Sequence, residues 1–225
     1  MDKKKTFLLI FFVILIAVIA VFASGIIVYN VSIRDEKTGT ILSGDFLVGL
    51  ETYDGYCDNY SYTRKSKCEN EGYNWIEGVR FLSITNGYPV SDKVGAAILD
   101  KNSIMAFGVS SEDAKAYYVL SLSEVVFGKT LNENFVKMNV IKNGEYILGS
   151  NTSGVLIKEL DKDGDDYIIN NSSINRKETD IYVVRLWIDE NYIPPITKEE
   201  VNDEIVVKTV EEKISFKVKV TAERK

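Results

Sequence analysis

Residues 213–222 read KISFKVKVTA. Ile214, Phe216, Val218, Val220 and Ala222 alternate with Ser215, Lys217, Lys219 and Thr221. Successive side chains of a strand point to opposite faces, so this period of two predicts a strand with one face on a core and the other in water. Working outward, Asp180–Ile188 (DIYVVRLWI) is β-branched, aromatic and almost unbroken, the pattern of a central strand covered on most of both faces. Further strand candidates are Ile26–Ile33, Gly78–Ile84, Ile104–Val109, Ala116–Leu122, Phe135–Ile141, Tyr146–Leu148, Val155–Leu160 and Ile205–Val210. Turn pairs punctuate them: Asn86-Gly87, Asn143-Gly144, Asp163-Gly164 and Pro194-Pro195. Helix signals are thin. Ser91–Lys101 suits a short helix capped by Ser91, and Ser110–Lys115 and Thr197–Asn202 suit single turns. Pro194–Glu204 is polar and reads as a loop. The pattern as a whole predicts a mainly β chain, an immunoglobulin-like or jelly-roll antiparallel sandwich. Trp187 falls in its core, and Arg185 on the same strand requires a carboxylate partner or a solvent-facing position.

The start of the chain is different in kind. Phe7–Val28 (FLLIFFVILIAVIAVFASGIIV) has no charge, and seventeen of its 22 residues are Leu, Ile, Val or Phe. As a helix it spans about 33 Å, enough for the hydrocarbon core, with insertion favoured by roughly 5–10 kcal/mol. Lys3, Lys4 and Lys5 precede it, which keeps the N-terminus in the cytoplasm and sends the rest of the chain outside. A signal peptide is the competing reading, since Val21-Phe22-Ala23 before Ser24 fits a cleavage site. Either way the expected division is a cytoplasmic tail at 1–6, a transmembrane helix or signal peptide at 7–28, and an extracytoplasmic β domain at 29–225.

The chain of 225 residues has 27 Lys and Arg against 33 Asp and Glu, a net charge of −6, and no His. An acidic body disfavours nucleic acid, whose phosphates need a basic face. Without histidine there is no Ser-His-Asp triad, no Cys-His pair and no imidazole ligand for zinc. No Ser-x-x-Lys, GxGxxG or phosphate-cradling loop occurs, so no catalytic residues are nominated, no cofactor is expected, and the chain is not read as an enzyme. The acidic turn Glu159–Asp166 places Asp161, Asp163 and Asp165 as calcium candidates, but an EF-hand frame puts Asn170 where a bidentate Glu is needed.

Cys57 and Cys68 are the two thiols, and an even count on the export side reads as a disulfide closing a short loop; two unrelated free thiols are the alternative. Around them Tyr53–Trp75 is rich in aromatic and charged residues and reads as a stapled excursion between strands. Tyr56, Tyr60 and Tyr62 are its candidates for contact with a partner, because tyrosine offers large contact area at small entropic cost. Surface decoration is the alternative.

Three stretches carry a resemblance: Phe81–Gly87 (FLSITNG), a strand running into a tight turn; Ile174–Ile188, a polar lead-in to a core strand; and Ile214–Glu223, a closing strand. With the basic tip and apolar span, the set resembles membrane-anchored exported β-sandwich surface proteins of Gram-positive bacteria. More distantly it is similar to the fibre-forming TasA and camelysin group. The resemblance implies a jelly-roll or immunoglobulin-like sandwich, export, and a structural or adhesive role. The chain departs from the fibre-formers in lacking an alanine-rich signal peptide, and its cysteine excursion has no counterpart there.

The expectation is therefore a single-pass protein of the cell membrane, its N-terminus cytoplasmic and its C-terminal domain extracellular, with a structural or adhesive role at the cell surface. Its partners are the membrane through 7–28 and a cell-surface protein, a carbohydrate or a second copy of itself. The alternative is a secreted subunit. Cleavage near Ala23 would leave SGIIVYNVSI as a free apolar strand able to complete a neighbour's sheet by donor-strand addition.

Overall fold

The structure is a computed structural model that describes residues 29–33, 38–43, 46–80, 82, 84–85, 88–97, 101–201, 204–209 and 212–224. The apolar run 7–28 lies outside the described residues, and among those described no helix is long and apolar enough to cross a membrane. In chain order the elements are β1 (Tyr29–Ile33), β2 (Thr38–Ser43), β3 (Phe46–Tyr53), β4 (Gly55–Cys57), helix α1 (Lys65–Asn70), β5 (Trp75–Glu77), β6 (Ile84–Thr85), β7 (Pro89–Val90) and helix α2 (Asp92–Ala96). There follow β8 (Ile104–Ser111), β9 (Ala116–Phe127), β10 (Val136–Lys142), β11 (Glu145–Leu148), β12 (Val155–Leu156), β13 (Lys162–Asp163) and β14 (Asp166–Ile174). The chain closes with β15 (Glu178–Asp189), β16 (Ile196–Val201), β17 (Glu204–Thr209) and β18 (Lys213–Arg224).

Two large sheets form. The first runs β1-β18-β9-β14-β13, with β6 also on β18; the second runs β11-β10-β15-β8-β3-β2, with β12 on β10 and β7 parallel to β15. Apart from β7 the ladders of these sheets are antiparallel. The chain is thus mainly β, as its periodicity predicts. The two sheets share one core, and the alternation of β18 explains how: Ile214, Phe216, Val218, Val220 and Ala222 are all buried against it. Leu120 and Leu122 of β9 join them, facing Val48 and Leu50 of β3, Phe107 and Val109 of β8, Met138 and Val140 of β10, and Val184 and Leu186 of β15. Phe107 and Tyr182 stack at 5.3 Å in this layer. Each fully buried aliphatic or aromatic side chain contributes roughly 1.5–3 kcal/mol.

From β8 onward the long strands switch layers at every step: β8, β10 and β15 lie in the second sheet, and β9, β14 and β18 in the first. Two of the crossings are tied together, since Lys177 N–H donates to Ser111 O at 2.6 Å and Ser111 Oγ donates to Ala114 O at 2.5 Å. Ser110–Lys115 is therefore the end of β8 and a corner, not a helical turn. Helix α2 is shorter than Ser91–Lys101 suggests, and Ser91 stands at its N-cap without a side-chain bond. Thr197–Asn202, expected as a helical turn within a loop, instead contains most of β16, which pairs with β17 and with no other described strand. A ribbon apart from both sheets shows no hydrophobic period to read, which is why ITKEEV looks like a loop.

β15 earns its unbroken apolar run by being covered on both sides. Tyr182, Val184, Leu186 and Ile188 enter the shared core, while Val183 belongs to a second buried cluster with Ile104, Ala106, Ile141 and Tyr56. Trp187, 2 % exposed, is sealed by α2 and the 149–154 segment: a Cβ on Gly95 or Gly154 would sit 2.4 Å from its ring.

Candidate binding face

The excursion begins where β3 ends. Asp54 receives Arg80 through both carboxylate oxygens (2.5 and 2.7 Å), and β4 pairs with β5 so closely that a Cβ on Gly55 would lie 2.2 Å from Ile76 O. Only glycine fits there, and its φ of 154° agrees. Cys57 and Cys68 form the disulfide expected of them, with Cα atoms 5.9 Å apart and both residues buried. Asp58 then clamps the far side of the loop: Oδ1 accepts from Asn74 N–H at 3.0 Å and Oδ2 from Asn74 Nδ2 at 2.8 Å. Tyr73 N–H donates to Cys68 O at 3.1 Å, closing the turn after α1.

The inner side of this unit is packing. Tyr56, Tyr60 and Ile76 lie on the outer face of the second sheet, over Ile104, Ala106, Ile141 and Val183. Tyr56 is 7 % exposed and stacks on Tyr60 at 5.6 Å. Its hydroxyl accepts from Arg185 Nη2 at 2.9 Å, and Arg185 Nη1 donates to Ala96 O at 3.4 Å. Arg185 thus meets neutral oxygens and is half-buried; no carboxylate pairs with it among the described residues, so of the two expected alternatives the carboxylate partner is not found. Burial pushes both the Tyr56 and Tyr60 phenols up, against the lowering effect of Arg185, so both stay neutral.

The outer side is a groove of about 600 Å³ lined by Asp58, Asn59, Tyr60, Ser61, Tyr73, Asn143 and Thr179. The Tyr60 ring lies over Gly144, whose Cβ position is 3.3 Å from it. Tyr62 does not line the groove; it supports Tyr73 from behind, with ring centroids 5.6 Å apart and the Lys67 ammonium 5.5 Å above it. Of the tyrosines expected to make contact, Tyr60 lines the groove, Tyr62 backs it and Tyr56 anchors it. Tyr73, Asn143 and Thr179 complete it. No sequence signal brings Asn143 and Thr179 to the excursion, because the β10–β11 turn and β15 meet it only in three dimensions.

The groove floor is fixed by a polar network. Asn143 Nδ2 donates to Asp180 Oδ1 at 2.7 Å, and Asn143 Oδ1 accepts from Ile181 N–H at 2.7 Å. Asp180 Oδ2 also accepts from the Tyr118 hydroxyl at 2.5 Å and pairs with Lys142 Nζ at 2.9 Å. Burial, then the neighbouring Tyr182 and Asp180, hold the Tyr118 phenol far above its ordinary value, and burial pushes Tyr182 up to about 12. Lys142 also donates to Ser172 Oγ at 2.5 Å, at the edge of another groove of about 550 Å³. That brings a serine and a lysine together, but an ammonium engaged with Asp180 carries no lone pair to take the Ser172 proton.

A third groove, about 690 Å³, runs between Tyr53 and Trp75; within it Arg80 pairs with Asp54 and Lys65 with Glu77 at 3.3 Å, and Glu51 and Arg64 also line it. Asp161, Asp163 and Asp165 are exposed around the β13–β14 turn, where Gly164 has φ 61°. Among the described residues, the one group of three acidic or thiol ligand atoms within 4.8 Å is Cys57, Asp58 and Cys68, whose sulfurs are bonded to each other. Comparison with family models, with curated proteins and with solved structures finds no match.

Proposed function

We propose that the chain is a single-pass, membrane-anchored surface protein whose extracytoplasmic β domain has an adhesive or structural role and makes contact through the stapled excursion. The observation that carries the reading is the uncharged run Phe7–Val28 directly behind Lys3–Lys5. The disulfide supports it, since such bonds persist in oxidising compartments. The path of β1 favours an anchor over a donated strand. Tyr29–Ile33 pairs antiparallel with Ala222–Val218 of β18 in the chain's own first sheet. The switching of successive strands between layers favours the jelly-roll form over the immunoglobulin-like one, whose hairpins keep neighbours in one layer.

The test is protease treatment of intact cells making the full chain, together with the mass of the recovered N-terminal peptide. The expected result is membrane association, digestion of the β domain from outside, and an intact Met1–Ala23. A mature chain beginning at Ser24 would turn the reading toward secreted assembly, and a chain recovered from cytosol with reduced thiols would end it.

A further inference from the structure

We infer that the groove between the excursion and the β10–β11 turn is a site for a neutral carbohydrate; this rests on the contact role proposed above and gives it a ligand class. Four features point there.

First, the lining combines two aromatic rings, Tyr60 and Tyr73, with the uncharged hydrogen-bonding groups of Asn59, Ser61 and Thr179, while Asn143 forms the floor, engaged with Asp180 and Ile181. Pyranose rings have apolar C–H faces that lie on aromatic rings and equatorial hydroxyls that exchange hydrogen bonds with amides and alcohols. Such a lining matches that pattern and offers nothing specific to a purely apolar ligand. The hydroxyls of Ser61 and Thr179 have no partner among the described residues, and Asn59 uses its Oδ1 on Ser61 N–H while its amide nitrogen remains for a ligand.

Second, the charge balance excludes acidic ligands. The lining has one charged side chain, Asp58, and it is a carboxylate. Each of its oxygens accepts one bond from Asn74, and its negative charge repels an anion. Of the cations beneath the groove, Lys142 is paired with Asp180, and the half-buried Arg185 is turned to Tyr56 and Ala96.

Third, the groove is rigid. The Cys57–Cys68 disulfide, the Asp58–Asn74 clamp and the Asn143–Asp180–Ile181 bonds hold its walls from three sides. Preorganised walls reduce the ordering cost of binding, which weak saccharide contacts need. Fourth, about 600 Å³ falls within the range of small-ligand sites, and the groove is open to solvent rather than closed over its contents.

The experiment uses the full chain in detergent micelles or nanodiscs and titrates cellotetraose, maltotetraose and chitotetraose, with tetragalacturonate as the charged counterpart, by calorimetry. The expected result is binding of at least one neutral tetrasaccharide and none of tetragalacturonate. Tyr73→Ala, at a 41 % exposed position, should weaken that binding roughly tenfold with an unchanged melting temperature. Thr179→Val tests the polar wall independently, and Tyr88→Ala, at a 75 % exposed tyrosine outside the groove, should change nothing. Binding that survives both Tyr73→Ala and Thr179→Val overturns the site. Preference for tetragalacturonate, or no binding of any neutral oligosaccharide, overturns the ligand class. If Tyr73→Ala nonetheless abolishes attachment of the cells to a surface, the contact role stands and only the carbohydrate assignment falls.

Discussion

The hydroxyl of Tyr192 donates to Oε1 of Glu212 at 2.7 Å, joining the residue that precedes the β16–β17 ribbon to the one that follows it. Glu212 is 3 % exposed, and it also accepts from the Thr130 side chain and from the backbone N–H groups of Thr130 and Leu131. A carboxylate from the C-terminal end of the chain thus closes the β9–β10 loop and the base of the ribbon at once. Glu212→Ala should lower unfolding free energy by about 2–3 kcal/mol, because it leaves the buried Leu131 N–H and the buried Tyr192 hydroxyl without their acceptor and frees the part-buried Thr130 N–H. Urea denaturation measures this, and a loss under 1 kcal/mol would show that the knot is ornamental.

The same residue sets an acid limit. Burial pushes the Glu212 carboxyl up, but the hydrogen bonds from Thr130, Tyr192 and the backbone together outweigh it and hold it below its ordinary 4.5. Asp189 behaves alike: burial raises it, and Lys137 at 2.5 Å with the Asn191 bonds brings it below 3.8. A depressed carboxyl contributes stability that is complete above its unfolded value and is lost as pH falls through the folded one. Melting temperature should therefore hold steady down to about pH 5 and fall below pH 4.5, and Glu212→Gln should make that fall shallower.

Reduction of Cys57–Cys68 should cost about 3 kcal/mol if the chain-entropy account applies to a loop this short. The loss should be local. Hydrogen exchange should accelerate first in β4 and β5 and under Tyr56, with β9 and β18 keeping their protection. Uniform acceleration across both sheets would mean that the excursion and the two large sheets fold as one unit.

Gly95→Ala and Gly154→Ala each drive a methyl group to 2.4 Å from the Trp187 ring, from opposite segments of the chain. Overpacking of this kind costs about 1–3 kcal/mol. Thermal melts together with tryptophan fluorescence would report it, since Trp187 must move toward water to relieve the contact.

Asp180→Asn removes the charge that pairs with Lys142 and weakens the acceptor for Tyr118, with an expected loss of about 2–4 kcal/mol. Tyr118→Phe should cost about 1–2 kcal/mol by itself. The double variant should be less destabilised than the sum, because the two residues share one hydrogen bond; strict additivity would place them in separate networks.

How much of this was legible beforehand depends on how local the cause is. The face of β18 reads directly from Ile214 to Ala222, and the double coverage of β15 reads from DIYVVRLWI, because strand period and burial act within a few residues. β14 is not legible in the same way: DYIINNSSI buries Tyr167, Ile169 and Ile174, but Asn170–Ser173 interrupt the pattern. Arg185 shows a different limit. Its strand was readable, but its partners come from Tyr56 and Ala96, far away in the chain, and no spacing rule reports an acceptor that arrives from another element. The candidate groove divides the same way, with Tyr60 foreseeable from the cysteine loop and Thr179 visible only once β15 passes beneath it.

The position of β18 has a consequence for how the protein is made. This strand lies between β1, the first strand described, and β9, so the first sheet has no centre until β18 has joined it. Before then β9 pairs only with β14 in that sheet, and β1 has no described strand there to pair with. The sheet is therefore completed by pairings between distant parts of the chain, and loop closure on that scale makes its formation slow.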